Sequence, residues 1–244
     1  MSTEINIPSK KEMLYEGKAK KIFATEDKDL VIAHYKDDAT AFDGIKKDVI
    51  ESKGVVNNLS SSILFSWLEE KGINTHFVKQ LSERDSLLKK VKIFPLEVIM
   101  RNVVAGSLVR KLGREEGKIL NIPILEFCYK DDALHDPPIN DSHILAFEWA
   151  NEKQLAKIKE LSYKTNELLK ERFLKANLTL VDIKFEYGLF KNEEILLADE
   201  ISPDTSRLWD IKSKEKLDKD RFRFDMGNVE SSYQEVLRRL QSTI

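Results

Sequence analysis

The stretch Leu180-Val181-Asp182-Ile183-Lys184-Phe185-Glu186-Tyr187-Gly188 alternates strictly between apolar and charged residues. In a strand, successive side chains point to opposite faces. Val181, Ile183, Phe185 and Tyr187 therefore share one face and Asp182, Lys184 and Glu186 the other. A turn at Lys191-Asn192 and a second strand, Ile195-Leu196-Leu197-Ala198, lead to Asp199-Glu200. With Phe190 paired to Glu193 across a two-residue turn, Asp199 faces Lys184 and lies diagonally from Asp182 and Glu186, about 7–8 Å away at the backbone. Carboxylates reaching inward from there suit a Mg²⁺ ion, which takes oxygen ligands at about 2.0–2.1 Å. Lys184 would partly neutralise the cluster until metal and phosphates arrive. A slip of one residue would carry Asp199 to the opposite face. A solvated edge hairpin gives the same alternation, so the neighbouring segments have to decide its meaning.

The loop that follows, Ala198 to Asp210, presents acids, hydroxyls and an arginine beside that acidic face. Arg207 carries the planar fork that grips a carboxylate or phosphate through two bonds; a surface ion pair is its plainer use. Upstream, Tyr15-Glu16-Gly17-Lys18-Ala19-Lys20-Lys21 places Lys18 and Lys20 on one side of a strand, with Gly17 allowing close backbone approach. That suits a polyphosphate, although lysines on a strand are also simply solvated. Arg101 and Asn102 sit within the apolar run Val98 to Ser107. A charge embedded there needs a partner, either a ligand phosphate or an internal carboxylate. His135, beside Asp136 in a proline-containing loop, is the one histidine in a suggestive setting, and a lone histidine reads first as structural or exposed. There is no P-loop, no G-x-G-x-x-G, no H-E-x-x-H and no G-x-S-x-G.

These residues need elements to position them. Leu14 to Phe23 and Leu30 to Tyr35 read as strands of a hairpin joined by a polar turn. Gly54 to Gly72 reads as a helix. Ile73 to Val78 and Val91 to Val104 read as extended, with Pro95 as a break. Asp131 to His143, with Asp136-Pro137-Pro138, argues against a regular element. In Glu152 to Lys175, the residues Leu155, Ile158, Leu161, Thr165, Leu168, Leu169 and Phe173 trace one helical stripe for core packing. Val229 to Leu240 is a second amphipathic helix. The mixture lacks a strict βαβ rhythm, so the fold class is α+β with two lobes: residues 1–92, sheet-rich, over a larger lobe, 93–244. The 244 residues suffice for a sizeable core, and 41% hydrophobic with 34% charged residues mark a soluble globular chain. A net charge of −2 argues against a nucleic-acid partner. No run approaches the roughly 18 apolar residues of a membrane span, and Met1 to Lys10 lacks the apolar run of a signal peptide. Cys128, the single cysteine, has no disulfide partner within the chain and reads as a small buried hydrophobe. The expected compartment is the reducing cytoplasm.

Six segments occur in order: Tyr15-Glu16-Gly17-Lys18-Ala19-Lys20; Lys53-Gly54-Val55-Val56-Asn57-Asn58; Arg101 to Leu108; His135-Asp136-Pro137; Leu180 to Glu186; and Asp199 to Trp209. Together they resemble the phosphoribosylaminoimidazole-succinocarboxamide synthase (SAICAR synthetase) family over nearly the whole chain. The resemblance implies a two-lobed α+β fold related to ATP-grasp enzymes, with an N-terminal antiparallel sheet over the larger lobe and ATP between them. It implies ligation of L-aspartate to carboxyaminoimidazole ribonucleotide (CAIR), yielding SAICAR, ADP and phosphate, in purine biosynthesis. By motif, Lys18, Lys20, Glu186 and Asp199 would bind ATP, and Glu186 and Asp199 would also hold Mg²⁺. Arg101, Ser107 and Arg207 would grip the ribonucleotide, while Lys219 and Asp220, in Leu217-Asp218-Lys219-Asp220-Arg221, match a family segment near the active site and would bind substrate. Asp182, Lys184 and Asp136 would lie near the reacting carboxylate as catalytic residues. The resemblance further implies a homo-oligomer such as a dimer, with no nucleic-acid or membrane partner.

Overall fold

The computed structural model describes residues 8–41 and 45–243; Phe42 and most of the Met1–Lys10 stretch lie outside them. The N-terminal strands are β1 (Met13–Glu16), β2 (Lys20–Ala24) and β3 (Leu30–Tyr35). The single strand expected from Leu14 to Phe23 is thus two, because the chain reverses at Gly17-Lys18-Ala19, where the Gly17 amide donates to the Lys20 carbonyl at 2.8 Å. The polar turn between β2 and β3 is where the sequence places it, and the two strands pair antiparallel. A small hairpin, β4 (Asp38–Ala41) and β5 (Lys46–Val49), precedes helix α1 (Lys53–Glu70). Strands β6 (Phe77–Gln80) and β7 (Asp85–Lys89) complete an antiparallel sheet of order β1-β2-β3-β7-β6.

Pro95 breaks the next extended run as expected, into β8 (Lys92–Ile93) and β9 (Leu96–Val103). A short helix α2 (Ser107–Leu112) and a long strand β10 (Ile119–Tyr129) follow. The proline-containing segment is more regular than its composition suggests. It holds a 3₁₀ turn at Asp132–Leu134, strand β11 (Pro138–Ile139) and the start of helix α3 (Asp141–Ala146). Asn140 makes the difference: its side chain accepts from the His143 amide while His143 reaches back to the Asn140 amide, a reciprocal cap strong enough to start a helix. Helix α4 (Glu152–Lys175) has the bounds read from the sequence, and its stripe from Leu155 to Phe173 enters the core with Leu168 at the margin.

Strand β12 (Leu178–Phe190) is the spine of the second sheet. It pairs with β9, with β8, with β13 (Glu194–Ala198) and with β14 (Ser206–Asp210), while β10 and β11 extend the sheet beyond β9. All these pairings are antiparallel, so the fold is α+β as expected. Both faces of β12 are buried, because α4 covers one and charged neighbours cover the other. A short helix α5 (Asp220–Arg223) and a C-terminal helix α6 (Val229–Gln241), packed against α1, close the chain. The two sheets meet where Thr75 bridges Leu197 of β13, with the His76 amide donating to the Leu197 carbonyl at 2.9 Å. Among the described residues no helix is long and apolar enough to cross a membrane.

At the start of α1, Gly54 is pressed against β3. Its amide donates to Asp37 at 2.8 Å, and a Cβ there would lie 2.6 Å from the Tyr35 carbonyl oxygen. Helix propensity alone favours Gly54→Ala by about 1 kcal/mol, whereas the clash with backbone costs about 1–3 kcal/mol. We expect the variant to unfold at lower urea concentration than the parent; equal or higher stability would show that α1 shifts freely on the sheet.

A charged cleft as the candidate active site

A cleft of about 1100 Å³ runs between the two sheets, and a second cavity of about 550 Å³ adjoins it through Arg101, Ser107, Cys128, His135 and Asp136. The charged face of β12 forms its floor. The pairing explains why buried charges are tolerated there. Asp182 stands directly opposite Arg101 on β9 and opposite Arg207 on β14. One oxygen of Asp182 accepts from Arg207 at 2.8 Å and from Arg101 at 3.3 Å, and both Asp182 and Arg101 are about 5% exposed. Arg101 also donates to Glu126 at 2.8 Å and to the Ser107 hydroxyl at 2.8 Å. Arg207 donates to Asp220 at 2.8 Å, and Asp220 accepts from Arg223 at 2.7 Å. Gly106 makes room for this arrangement, since a Cβ there would lie 2.7 Å from Arg207 Nη2.

Further along the strand, Lys184 donates to Glu97 at 2.7 Å and to Glu186 at 3.1 Å, and Lys130 also holds Glu186. Burial pulls the Lys184 ammonium down, but Glu186, Glu97 and Asp199 outweigh it and hold the group well above the ordinary lysine range.

The register differs from the expected one. Phe190 pairs with Glu194, not Glu193, and Glu186 pairs with Ala198, so continuation of β13 would set Asp199 opposite Phe185 on the wrong face. The extra turn residue fits because Lys191 and Asn192 both adopt positive φ. Asp199 nonetheless reaches the cleft, because β13 ends at Ala198 and Asp199 turns back with φ of 61°. Its carboxylate accepts from Lys20 of β2, whose ammonium also lies 3.7 Å from Glu200 and 5.1 Å above the Tyr35 ring. Burial opposes ionisation of Asp199, yet Lys20, Lys184 and Lys130 together hold its carboxyl well below the usual range. Glu200 goes the other way. Its burial and the nearby Asp199 and Asp204 outweigh Lys20 and push it up.

Lys18 lies at the mouth, paired with exposed Asp132 at 2.7 Å. Asp136, at φ of 45°, accepts from the Asp131 amide at 2.9 Å and lines both cavities with His135. Lys219 lines the wall beside Asp204 and Arg223. Eleven of the twelve expected site residues thus line the cleft, and the twelfth, Asp220, accepts from Arg207 behind it. Asp182 is tied to two arginines, apart from the Glu186 and Asp199 end. Among the described residues no group of three or more His, Cys, Asp or Glu is placed to hold a metal, so the expected three-carboxylate cluster reduces to Glu186 and Asp199. Cys128, expected as a small buried hydrophobe, is half-buried and lines both cavities, and partial burial raises its thiol to about 11.

The sequence model for SAICAR synthetase matches residues 13–240. The phosphoribosylaminoimidazole-succinocarboxamide synthase of Caldanaerobacter subterraneus subsp. tengcongensis is 60% identical over 233 residues, covering 95% of this chain and 98% of that protein. The chain belongs to the SAICAR synthetase family. A crystal structure of the corresponding synthase from Ehrlichia chaffeensis superposes with a TM-score of 0.92 at 47% identity, covering 94% of this chain and 98% of the other. A SAICAR synthetase in complex with ADP superposes with a TM-score of 0.90 at 48% identity, covering 93% and 97%.

Several residues in or around this cleft have no role assigned from the sequence. Glu97 and Glu126 alternate with apolar residues on β9 and β10, the same signal that singled out β12, and would have been found by it. Lys130, just past β10, carried no signal. Lys53 stood in one of the six motifs without a role; it is fully buried and donates to Asp204 at 2.7 Å, while the Tyr233 hydroxyl of α6 donates to the other Asp204 oxygen at 2.6 Å. The tightest constraint is the acid between two guanidiniums. Removing one charge from such a buried set leaves the others uncompensated, so Asp182→Asn should cost about 3 kcal/mol of stability in urea unfolding. A loss below about 1 kcal/mol would mean that the two arginines find other partners.

Proposed function

We propose that the chain ligates L-aspartate to the carboxylate of CAIR, coupled to conversion of ATP to ADP and phosphate, and so produces SAICAR for purine biosynthesis in the cytoplasm. The observation that carries this reading is the row of cation–carboxylate pairs along one cleft, in a chain 60% identical to a synthase of that name. A carboxylate resists attack by an amine because it is anionic and resonance-stabilised. Transfer of a phosphoryl group to it creates a leaving group, and the catalytic task is then positioning and charge neutralisation.

In this reading Lys18, Lys20 and Lys184 face the transferring phosphates. Arg101, Ser107 and Arg207 hold the ribonucleotide phosphate, with Asp182 and Asp220 fixing the two guanidiniums. Asp136 lies on the side of the second cavity, near the reacting carboxylate. Glu186 and Asp199 supply hard oxygen donors, and their lysine partners can move to phosphate oxygens, so the pair fits Mg²⁺. Bound there, Mg²⁺ would neutralise phosphate charge. The lobes are residues 1–92 and 93–244, with Lys20 and Asp199 as one of the ion pairs that cross between them, and the working form is a homo-oligomer such as a dimer.

The test is ADP release from ATP, Mg²⁺ and CAIR, with and without aspartate. Release that requires aspartate supports the ligase. Equal release without it would indicate a kinase that phosphorylates its substrate and stops. In the same assay Glu186→Ala and Asp199→Ala should each reduce turnover by at least about a hundredfold and raise the Mg²⁺ concentration needed. Near-parent activity at ordinary Mg²⁺ in either variant would overturn the metal assignment.

A further inference from the structure

One half-buried cation of the cleft has no partner among the described residues, whereas Lys90 and Arg110, which also line it without an ion pair, are exposed. Lys20, Lys130, Lys184, Arg207 and Arg223 each hold a carboxylate, Lys53 does so behind the lining, and Lys89 donates to the Thr75 carbonyl. The half-buried Lys219 lines the same cleft, yet its ammonium makes no ion pair or hydrogen bond among the described residues. The adjacent acids are already engaged. Asp204 offers one oxygen to Lys53 and the other to Tyr233, and Glu200 faces Lys20. Burial, with Arg223 and Lys53 as like charges, lowers the Lys219 ammonium below the ordinary lysine range, and Asp204 and Glu200 offset this only in part. A desolvated ammonium without a counter-ion is costly. The cost is relieved when a ligand supplies the missing anion.

We propose that Lys219 binds a carboxylate of the amino-acid substrate, L-aspartate, and holds it on the Asp204–Arg223 wall of the cleft. This rests on the ligase reading. The choice of a carboxylate follows from charge matching. A phosphate monoester carries about −1.5 to −2 at neutral pH and matches a cluster such as Arg101 with Arg207. A carboxylate carries a single charge and matches a lone ammonium. Saturation of Asp204 by Lys53 and Tyr233 keeps that ammonium from closing an internal ion pair, so the recognition group stays open to the cleft.

The test is Lys219→Met in the full-length chain, with each of the three substrates varied in turn while ADP release is followed. The aspartate KM should rise about tenfold or more, and the KM values for ATP and CAIR should stay within about twofold. Lys219→Arg, which keeps the charge, should recover part of the lost affinity. Without substrates, the thermal midpoint of Lys219→Met should equal or exceed the parent's, because an uncompensated cation has been removed. An unmoved aspartate KM overturns the proposal, as does a rise confined to ATP or CAIR, which would make the anion a phosphate. A lowered thermal midpoint with a uniform loss of activity also overturns it, by making Lys219 a structural residue. If the parent enzyme releases no ADP in response to aspartate, the ligase reading fails and the inference falls with it; an active parent with an unchanged aspartate KM in the variant defeats the inference alone.

Discussion

A single oxygen of Asp182, about 5% exposed, accepts from guanidiniums on the strands to either side of it. Most of the site's geometry follows from that contact. Arginine in a sheet interior is tolerated only when its charge is matched and its donors are filled. Asp182 matches two at once, and each arginine then recruits further partners: Ser107 and Glu126 for Arg101, Asp220 for Arg207. The result is a fixed pair of planar forks facing the cleft, held in place by strand register and not by loop packing.

The same logic repeats along β12 and across to the other sheet. Lys184 and Lys130 balance Glu186, and Lys20, from the N-terminal sheet, balances Asp199. In each pair a buried charge is stabilised by one that a phosphate or a hard metal ion could replace. In the proposed ligase such a cleft would exchange partners: phosphates would take the lysines, and the released carboxylates would be free to hold the metal. Lys20 comes from the N-terminal sheet and Asp199 from the end of β13, so this ion pair also ties the two sheets together across the cleft.

Much of this was legible in the sequence, for identifiable reasons. The α4 stripe has a 3.6-residue period and is long, so its bounds and buried face follow from pattern alone. The β12 face is legible because a strictly alternating strand admits only two arrangements. The position of Asp199 was not legible, because it depends on one extra residue in the turn after Phe190 and on a positive φ at Asp199 itself, and the two departures compensate. The break at Gly17 and the helix after Asn140 were missed because short turns and reciprocal caps leave little trace in hydrophobic periodicity. Lys130 was missed, and Lys53 was left without a role within its motif, because a lysine reads as solvated until the fold brings an acid to it. The family resemblance supplied the order of the motifs; which side chains hold one another came from strand register.

The central claim is that this cleft brings a γ-phosphoryl group to the CAIR carboxylate, whose oxygen must be expelled for an amide to form. Supplying CAIR labelled with oxygen-18 in that carboxylate, together with ATP, Mg²⁺ and aspartate, tests this directly through the mass of the released phosphate. One labelled oxygen should appear in phosphate for each SAICAR formed. Unlabelled phosphate accompanying SAICAR would show that activation takes another route and that the roles given to Lys20, Lys184, Glu186 and Asp199 are wrong.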